Sequence, residues 1–398
     1  MMRKMFLFTL ASALLLTLAS CQESMPRLTT RVLDVAAQQF KLMDQRLPEG
    51  LMPRTVNSDG EMRNDKITWW CSGFYPGSLW YVYEGTGDPE IKALAEKYTH
   101  YLDTIVRART HHDIGFQVNC SFGNAYRLTG DKQYLPVMEA AAAKLARRFS
   151  PVTGTIKSWE SSAKWIYPVI IDNMMNLELL FEAYRLTDNK RFYDIAVSHA
   201  KKTLANHFRD DYSSYHVVDY DPETGSVIKR ITFQGFADES VWSRGQAWGL
   251  YGFTMCYRYT HDKAFLNQAC HIADFFFSQP NMPEDMVPYW DMRDPAIAAG
   301  QEVPLDASAA AIFASGLYEL ASYVGNEDAG RYLAIADKIL DSLVTHYQAE
   351  ENSNQGFLLL HSTGNKPAGD EIDVPINYAD YYYLEALSRQ RSLALPAK

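Results

Sequence analysis

The sequence predicts an all-α chain folded as an (α/α)6 toroid, six helical hairpins closed into a ring. Three observations predict it. Helices apolar on almost every side alternate along the chain with amphipathic ones, the pattern of a repeat array in which one set of helices is enclosed and the other faces water. A turn motif recurs between them: YEGTGD at 83–88, YRLTGD at 126–131, YRLTDN at 184–189 and YRYTHD at 257–262. Each closes an apolar helix and opens an amphipathic one, the Gly position acting as a helix stop and the Asp or Asn as the next N-cap. Strand signals, finally, are sparse; the best is GSVIKRITFQ at 225–234, a loop with a small hairpin.

From the amino terminus, Arg3 and Lys4 form a short basic region before the apolar run from Met5 to Leu18. That reads as an export signal, too short and wrongly flanked for a spanning helix. The small residues Ala19 and Ser20 directly before Cys21 resemble a bacterial lipobox, which implies cleavage and lipid attachment at Cys21. Residues 1–20 are therefore set apart as signal peptide, and 21–398 as a single domain. The expected location is exported and lipid-anchored, in the periplasm or at the outer membrane of a Gram-negative bacterium, with the Cys21 lipid as the only membrane contact. No later run is apolar and long enough to span a bilayer.

Periodicity places the amphipathic helices near 31–47, 89–104, 132–149, 191–208, 264–279 and 329–347. Their enclosed partners begin near Ser72, Asp113, Ile170, Gly245, Ser308 and Asn377. Inner-to-outer links are the short turns above. The long connections, near 150–165, 209–244, 280–307 and 349–376, all return from an outer helix to an inner one. Long loops in a compact domain are usually functional, and these collect at the end where the inner helices start.

Composition narrows the partners. A net charge of −10 excludes a nucleic-acid partner in this reading and leaves any anionic ligand to local Arg, Lys or His. Aromatic residues at 13%, with 25 Tyr and 8 Trp, suit sugar-stacking surfaces as well as a tightly packed core. Cys71, Cys120, Cys256 and Cys270 match no disulfide or metal framework and read as buried free thiols.

The most informative stretch is PVIIDNMMNLELLFEAY at 168–184. It reads as a helix with almost no polar face, Pro168 at its start, and yet it carries Asp172 in its first turn with Asn176 one turn on. The helix N-terminus favours the anion by roughly 0.3–2 kcal/mol. Deep burial raises a carboxylate pKa by up to about 3–5 units, or roughly 4–7 kcal/mol. Burial therefore wins where it is deep, and Asp172 becomes a proton donor near neutral pH; the alternative is an Asp that merely caps its helix. Asp113, in HHDIGF at 111–116, begins its helix in the same way and carries the same alternative. His111 and His112 are expected to point apart, with no third ligand of suitable spacing, so no metal site is expected. WSRGQAW at 242–248 sets Arg244 between Trp242 and Trp248, a guanidinium suited to a carboxylate beside indoles suited to sugar faces. Pairing of Arg244 with Asp238 or Glu239 is the structural alternative. Two carboxylates at a toroid mouth flanked by aromatics describe a glycosidase-like site.

The ordered set SGFYPG (72–77), HDIGF (112–116), IDNMMN (171–176), QGFADES (234–240) and WSRGQAW (242–248) resembles the unsaturated glucuronyl hydrolases of glycoside hydrolase family 88. The resemblance spans nearly all of 21–398. It implies hydrolysis of lyase-generated glycosaminoglycan di- and oligosaccharides, in which the C4=C5 bond of the terminal unsaturated glucuronate is hydrated. By the same matching Asp172 is the general acid/base and Asp113 the second essential carboxylate. His216, Gln234, Trp242, Arg244 and Trp248 line the uronate subsite, and Trp69 matches an aromatic platform. The loop HSTGNK at 361–366 sits where some members carry sulfate-binding residues, making Ser362 and Lys366 candidates there. No metal or organic cofactor is implied. The alternatives are an unsaturated galacturonyl or rhamnogalacturonyl hydrolase on pectin fragments, and a non-catalytic sugar-binding lipoprotein.

Overall fold

The computed structural model describes residues 25–109 and 111–394; the export signal and Cys21 lie outside them. The described residues form six hairpins of an outer and an inner helix. They pair α1 (Met25–Arg46) with α2 (Phe74–Thr86), and α3 (Pro89–Tyr101) with α4. Helix α4 runs from Ile114–Val118 through a π turn at Asn119–Gly123 into Asn124–Thr129. Next come α5 (Leu135–Ala146) with α6 (Asn173–Thr187), and α7 (Lys190–Asn206) with α8 (Ser243–Thr260). The last two are α9 (Lys263–Phe277) with α10 (Ala307–Ala321), and α11 (Asn326–Ser342) with α12 (Asn377–Ala394). Each inner helix packs on the next, and α12 returns to α2. The ring closes as an (α/α)6 toroid.

Burial follows the sequence pattern. In α8 every residue from Ser243 to Cys256 is buried, whereas α7 buries one stripe, Phe192, Ile195, Ala196, His199, Ala200 and Thr203. Among the described residues, no helix is long and apolar enough to cross a membrane. Cys71, Cys120 and Cys256 are buried free thiols, as expected, and Cys270 is a half-buried one.

The repeated turns have one construction. Gly87, Gly130, Asp188 and His261 take the left-handed conformation and donate their N–H to the carbonyls of Tyr83, Tyr126, Tyr184 and Tyr257. Asp88, Asp131, Asn189 and Asp262 cap the following helix. The threonine of each motif links the two ends: the Thr86, Thr129, Thr187 and Thr260 hydroxyls donate four residues back and accept the N–H two residues on. Two orphaned backbone groups per turn are thus satisfied locally.

Three small sheets stiffen the long connections. Strands β1 (Leu51–Val56) and β2 (Met62–Lys66) form a hairpin not legible in the sequence, and β3 (Phe149–Ser150) pairs with β4 (Thr155–Ile156). The third sheet joins β5 (Tyr167–Ile170), β6 (Val217–Tyr220) and β7 (Val227–Ile231), all antiparallel. Of the hairpin expected within 225–234 only one strand lies there: β7 pairs back with β6 at 217–220. The helix expected from Pro168 is corrected: 167–170 is a strand, and α6 begins only at Asn173. Backbone pairing of Val169 and Ile170 with Val218 and Val217 overrides the apolar run's resemblance to a buried helix.

Glycines set the spacing of the inner ring. A Cβ at Gly252 of α8 would lie 2.5 Å from the Cβ of Met174 of α6, an atom that cannot swing aside. Gly252→Ala is therefore expected to lower stability by about 1–3 kcal/mol. Gly330→Ala, on an exposed turn of α11 with open space around it, is expected to raise it by about 0.5–1 kcal/mol. Denaturant midpoints of the two variants against wild type check both signs.

Candidate active site

The starts of the inner helices gather at one mouth, and two carboxylates are buried there. Asp172 precedes α6 and Asp113 precedes α4; each sits at the cap position, yet neither side chain caps its helix. The helix-cap alternative is thereby removed for both. Their relative exposures are 9% and 7%, so neighbours rather than water decide their charge.

Around Asp113 those neighbours are imidazoles. His111 Nδ1 lies 2.6 Å from Oδ2, and His112 Nε2 lies 3.5 Å from Oδ1. The expectation that the adjacent histidines diverge is corrected, since all three groups come within 4.8 Å of one another. The irregular segment before α4 lets the chain fold both rings around the carboxylate. Burial alone would raise the Asp113 pKa, but His112, His111 and Arg148 outweigh it and hold the carboxyl below its ordinary value. His112 itself is pushed down to about 4 by burial, against the pull of Asp113. For His111, burial is outweighed by the hydrogen bond and charge of Asp113, and its pKa rises.

Asp172 shows the opposite outcome. Burial raises its pKa to about 7, reinforced by the charge of Asp113, while Arg244, its own backbone N–H and the Trp248 indole act in the other direction. His216 Nε2 is 3.6 Å from Asp172 Oδ2. His216 Nδ1 accepts the backbone N–H groups of Phe233 and Gln234, each at 3.1 Å. The ring therefore carries its proton on Nε2, facing Asp172, and burial holds His216 neutral. Two carboxyls with proton affinities pushed apart, in one cavity mouth, are the signature of an acid and an anion working together.

The other sequence candidates fall into two groups. His216, Trp242 and Arg244 adjoin Asp172: the His216 and Trp242 rings are 4.6 Å apart, and the Arg244 guanidinium lies 4.7 Å over Trp242. Trp248 is fully buried on α8, packed on Phe116 of α4. Gln234 reaches the same mouth and donates weakly to Gly364 O. The second group lies in the surrounding shell. Trp69 is stacked by Arg54 at 4.0 Å. Ser362 is buried over the start of α10, and Lys366 is ion-paired with Asp294 at 2.9 Å and sits over Trp290.

The partner of Arg244 is corrected as well. It is neither Asp238 nor Glu239 but Asp306, at 2.8 Å, with further bonds to the carbonyls of Thr363 and Gly364. Asp306 also caps α10 through Ser308 N and Ala309 N. This buried pair fastens the 361–366 loop over the mouth. Asp291 does likewise for the 234–240 segment, accepting from Phe236 N, Ser240 Oγ and Val241 N. Sequence reasoning missed Asp291 and Asp306; for Asp306 the signal was an Asp directly before the small residues that open a helix.

A cavity of about 770 Å³ lies at the opposite mouth, where the inner helices end. Its charges neutralise one another: Arg258 pairs with Glu178 and Glu319, Arg389 with Glu319, and Tyr81, Tyr251 and Ser315 donate to Glu385. The acid–anion pair is at the other end.

The chain is similar to known proteins over most of its length. A family model described as Glycosyl Hydrolase Family 88 matches residues 45–392. An unsaturated glucuronyl hydrolase of Formosa agariphila is 45% identical over 329 residues, covering 82% of this chain and 81% of the relative. An unsaturated chondroitin disaccharide hydrolase of Streptococcus pneumoniae is 35% identical over 328 residues, covering 81% and 82%. The crystal structure of an unsaturated glucuronyl hydrolase specific for heparin superposes with a TM-score of 0.89 at 46% identity, covering 92% of this chain and 98% of that one.

The charge of Asp113 raises the proton affinity of Asp172, so removing it has a defined sign. In wild type the Asp172 carboxyl is expected to titrate near pH 7. In Asp113→Asn its midpoint is expected to fall toward the ordinary carboxylate range, read from the carbonyl band of the protonated acid by infrared difference titration.

Proposed function

Because the chain belongs to glycoside hydrolase family 88, we propose that it is an unsaturated glucuronyl hydrolase. It removes the non-reducing-end 4,5-unsaturated glucuronate from glycosaminoglycan di- and oligosaccharides left by polysaccharide lyases. The observation that carries the reading is Asp172, a carboxyl buried beside an ionised Asp113 and poised to hold a proton near neutral pH.

Asp172 donates its proton to C4 of the unsaturated ring. The C4=C5 electron pair forms the new C–H bond, and the positive charge is shared between C5 and the ring oxygen. The fixed anion of Asp113 stabilises that charge. Asp172, now a carboxylate, takes a proton from a water as its oxygen adds to C5. The resulting hemiketal opens and releases the remaining sugar. His216 orients the acid through Nε2–H, Gln234 and Trp242 border the ring, and Trp248 backs the acid. Arg244 supplies the positive charge that an anionic uronate needs at a site in a net-negative protein. Trp69, Ser362 and Lys366 bound the region of the leaving sugar; Lys366 meets a sulfate there by exchanging Asp294 for it.

Export and lipid attachment at Cys21 place this activity at the cell envelope. There the anchored enzyme meets lyase products before uptake.

Loss of the ultraviolet absorbance of the conjugated C4=C5 bond tests the reaction on unsaturated chondroitin, heparin and hyaluronan disaccharides. Asp172→Asn is expected to cut turnover by at least about 10²–10⁴-fold while disaccharide binding, measured by calorimetry, persists. Decay only on pectin-derived oligomers would move the substrate to galacturonyl or rhamnogalacturonyl units. Binding without decay on any of them would make the protein a sugar-binding one. For the anchor, Cys21→Ser is expected to abolish incorporation of labelled fatty acid into the chain, which wild type shows.

A further inference from the structure

Asn176 stands one turn into α6 from Asp172 and reaches across to α4. Its Oδ1 accepts the Phe116 backbone N–H at 2.8 Å. That donor is fixed by the main chain, so it also fixes which way the amide points: Nδ2 must face His112 Nδ1, at 3.2 Å. An N–H₂ group directed at a ring nitrogen needs a lone pair there. His112 is therefore a neutral ring with its proton on Nε2, and that proton is directed at Asp113 Oδ1. The joint has no slack, because a Cβ at Gly115 would lie 2.4 Å from Asn176 Oδ1. The His112 ring is wholly buried, with Nε2 3.5 Å from Asp113 Oδ1 and the Asn173 side chain as a further polar neighbour that favours a proton on the ring.

We infer that Asn176 and His112 are positioning residues which fix an N–H donor on Asp113 and so decide which of the two buried carboxyls holds the single catalytic proton. The inference rests on the reaction proposed above. In the other tautomer the lone pair of Nε2 would face the Asp113 carboxylate and repel it, and Asp113 would compete for the proton. The remaining groups around the pair are consistent with this partition. Asp113 is faced by His111 on its own segment and Arg148 beyond α5, and Asp172 by Arg244 and Trp248 of α8 and His216 of β5's neighbouring strand segment. Asp113 thus has an imidazole nitrogen near each oxygen, at 2.6 and 3.5 Å, whereas Asp172 has one, at 3.6 Å.

The test has a readout that needs no substrate. Nitrogen NMR of histidine-labelled wild type is expected to show His112 with a bare Nδ1 and a protonated Nε2; an Nδ1–H tautomer or an imidazolium would overturn the inference. Asn176→Leu is expected to turn that single state into a tautomer mixture, and an unchanged spectrum would also overturn it. Kinetics adds the second arm. In His112→Leu the acid limb of kcat/KM is expected to move up by about one pH unit, with kcat at least about tenfold lower and KM within about twofold. His112→Gln, whose amide can still donate to Asp113, is expected to restore the wild-type limb. A uniform loss of kcat in both variants without a shifted limb would mark His112 as merely structural and overturn the role assigned. Inactivity of wild type on every unsaturated oligosaccharide would sink the reaction and leave the NMR result standing by itself.

Discussion

The structure turns on the removal of two carboxylates from water at adjoining helix starts. Desolvation disfavours both anions, and by itself it would leave both protonated near neutral pH. The fold breaks the symmetry with neighbours. Asp113 has an imidazole near each oxygen and stays ionised, while for Asp172 burial and the repulsion of Asp113 outweigh Arg244, its own N–H and the Trp248 indole. Leaving a charge unpaired in such a place costs several kcal/mol, so the arrangement of uncharged donors around it matters as much as the carboxylates themselves. The hydrogen bond from Phe116 N to Asn176, which crosses from α4 to α6, holds the two halves in register.

The mouth is also held rigid by buried charges. Arg244 and Asp306 form a buried pair whose remaining donors and acceptors fasten the chain at Thr363 and Gly364 and the start of α10. Arg54 does similar work at the margin, bonded to Asp65, Asp370 and Glu371 and stacked on Trp69. Breaking one partner of a buried pair of this kind typically costs about 3–5 kcal/mol. The 234–240 segment is held in the same manner by buried Asp291, which accepts the Phe236 and Val241 N–H groups and the Ser240 hydroxyl.

The two ends of the toroid divide the labour. At the ends of the inner helices, short turns with a Gly or left-handed stop, a bridging Thr and an Asp or Asn cap repeat four times, their backbone groups satisfied by bonds within the turn. Ion pairs fill the space between them. At the starts, the caps at Asp113 and Asp172 are withheld from the helices, and the side chains stay free to act on a ligand.

What depends on near neighbours along the chain could be read from residue order. Helical periodicity, the Thr-Gly-Asp stops and the one-turn spacing of Asp172 and Asn176 all act over a few residues, and they were legible as twelve helices, four repeated turns and a buried acid. Asp172 could be singled out because an acid in an apolar helix conflicts with its surroundings whatever the fold. The pairings came from the packing of distant segments. That 167–170 is a strand depends on 217–220 arriving beside it; that Arg244 meets Asp306 rather than Asp238 or Glu239, and that Lys366 meets Asp294, depends on ring closure. The protonation of the site belongs to the same class. Which imidazole nitrogen carries the proton is set by Phe116, Asn176 and His112 across two helices, a relation between positions 60 residues apart that no local pattern encodes.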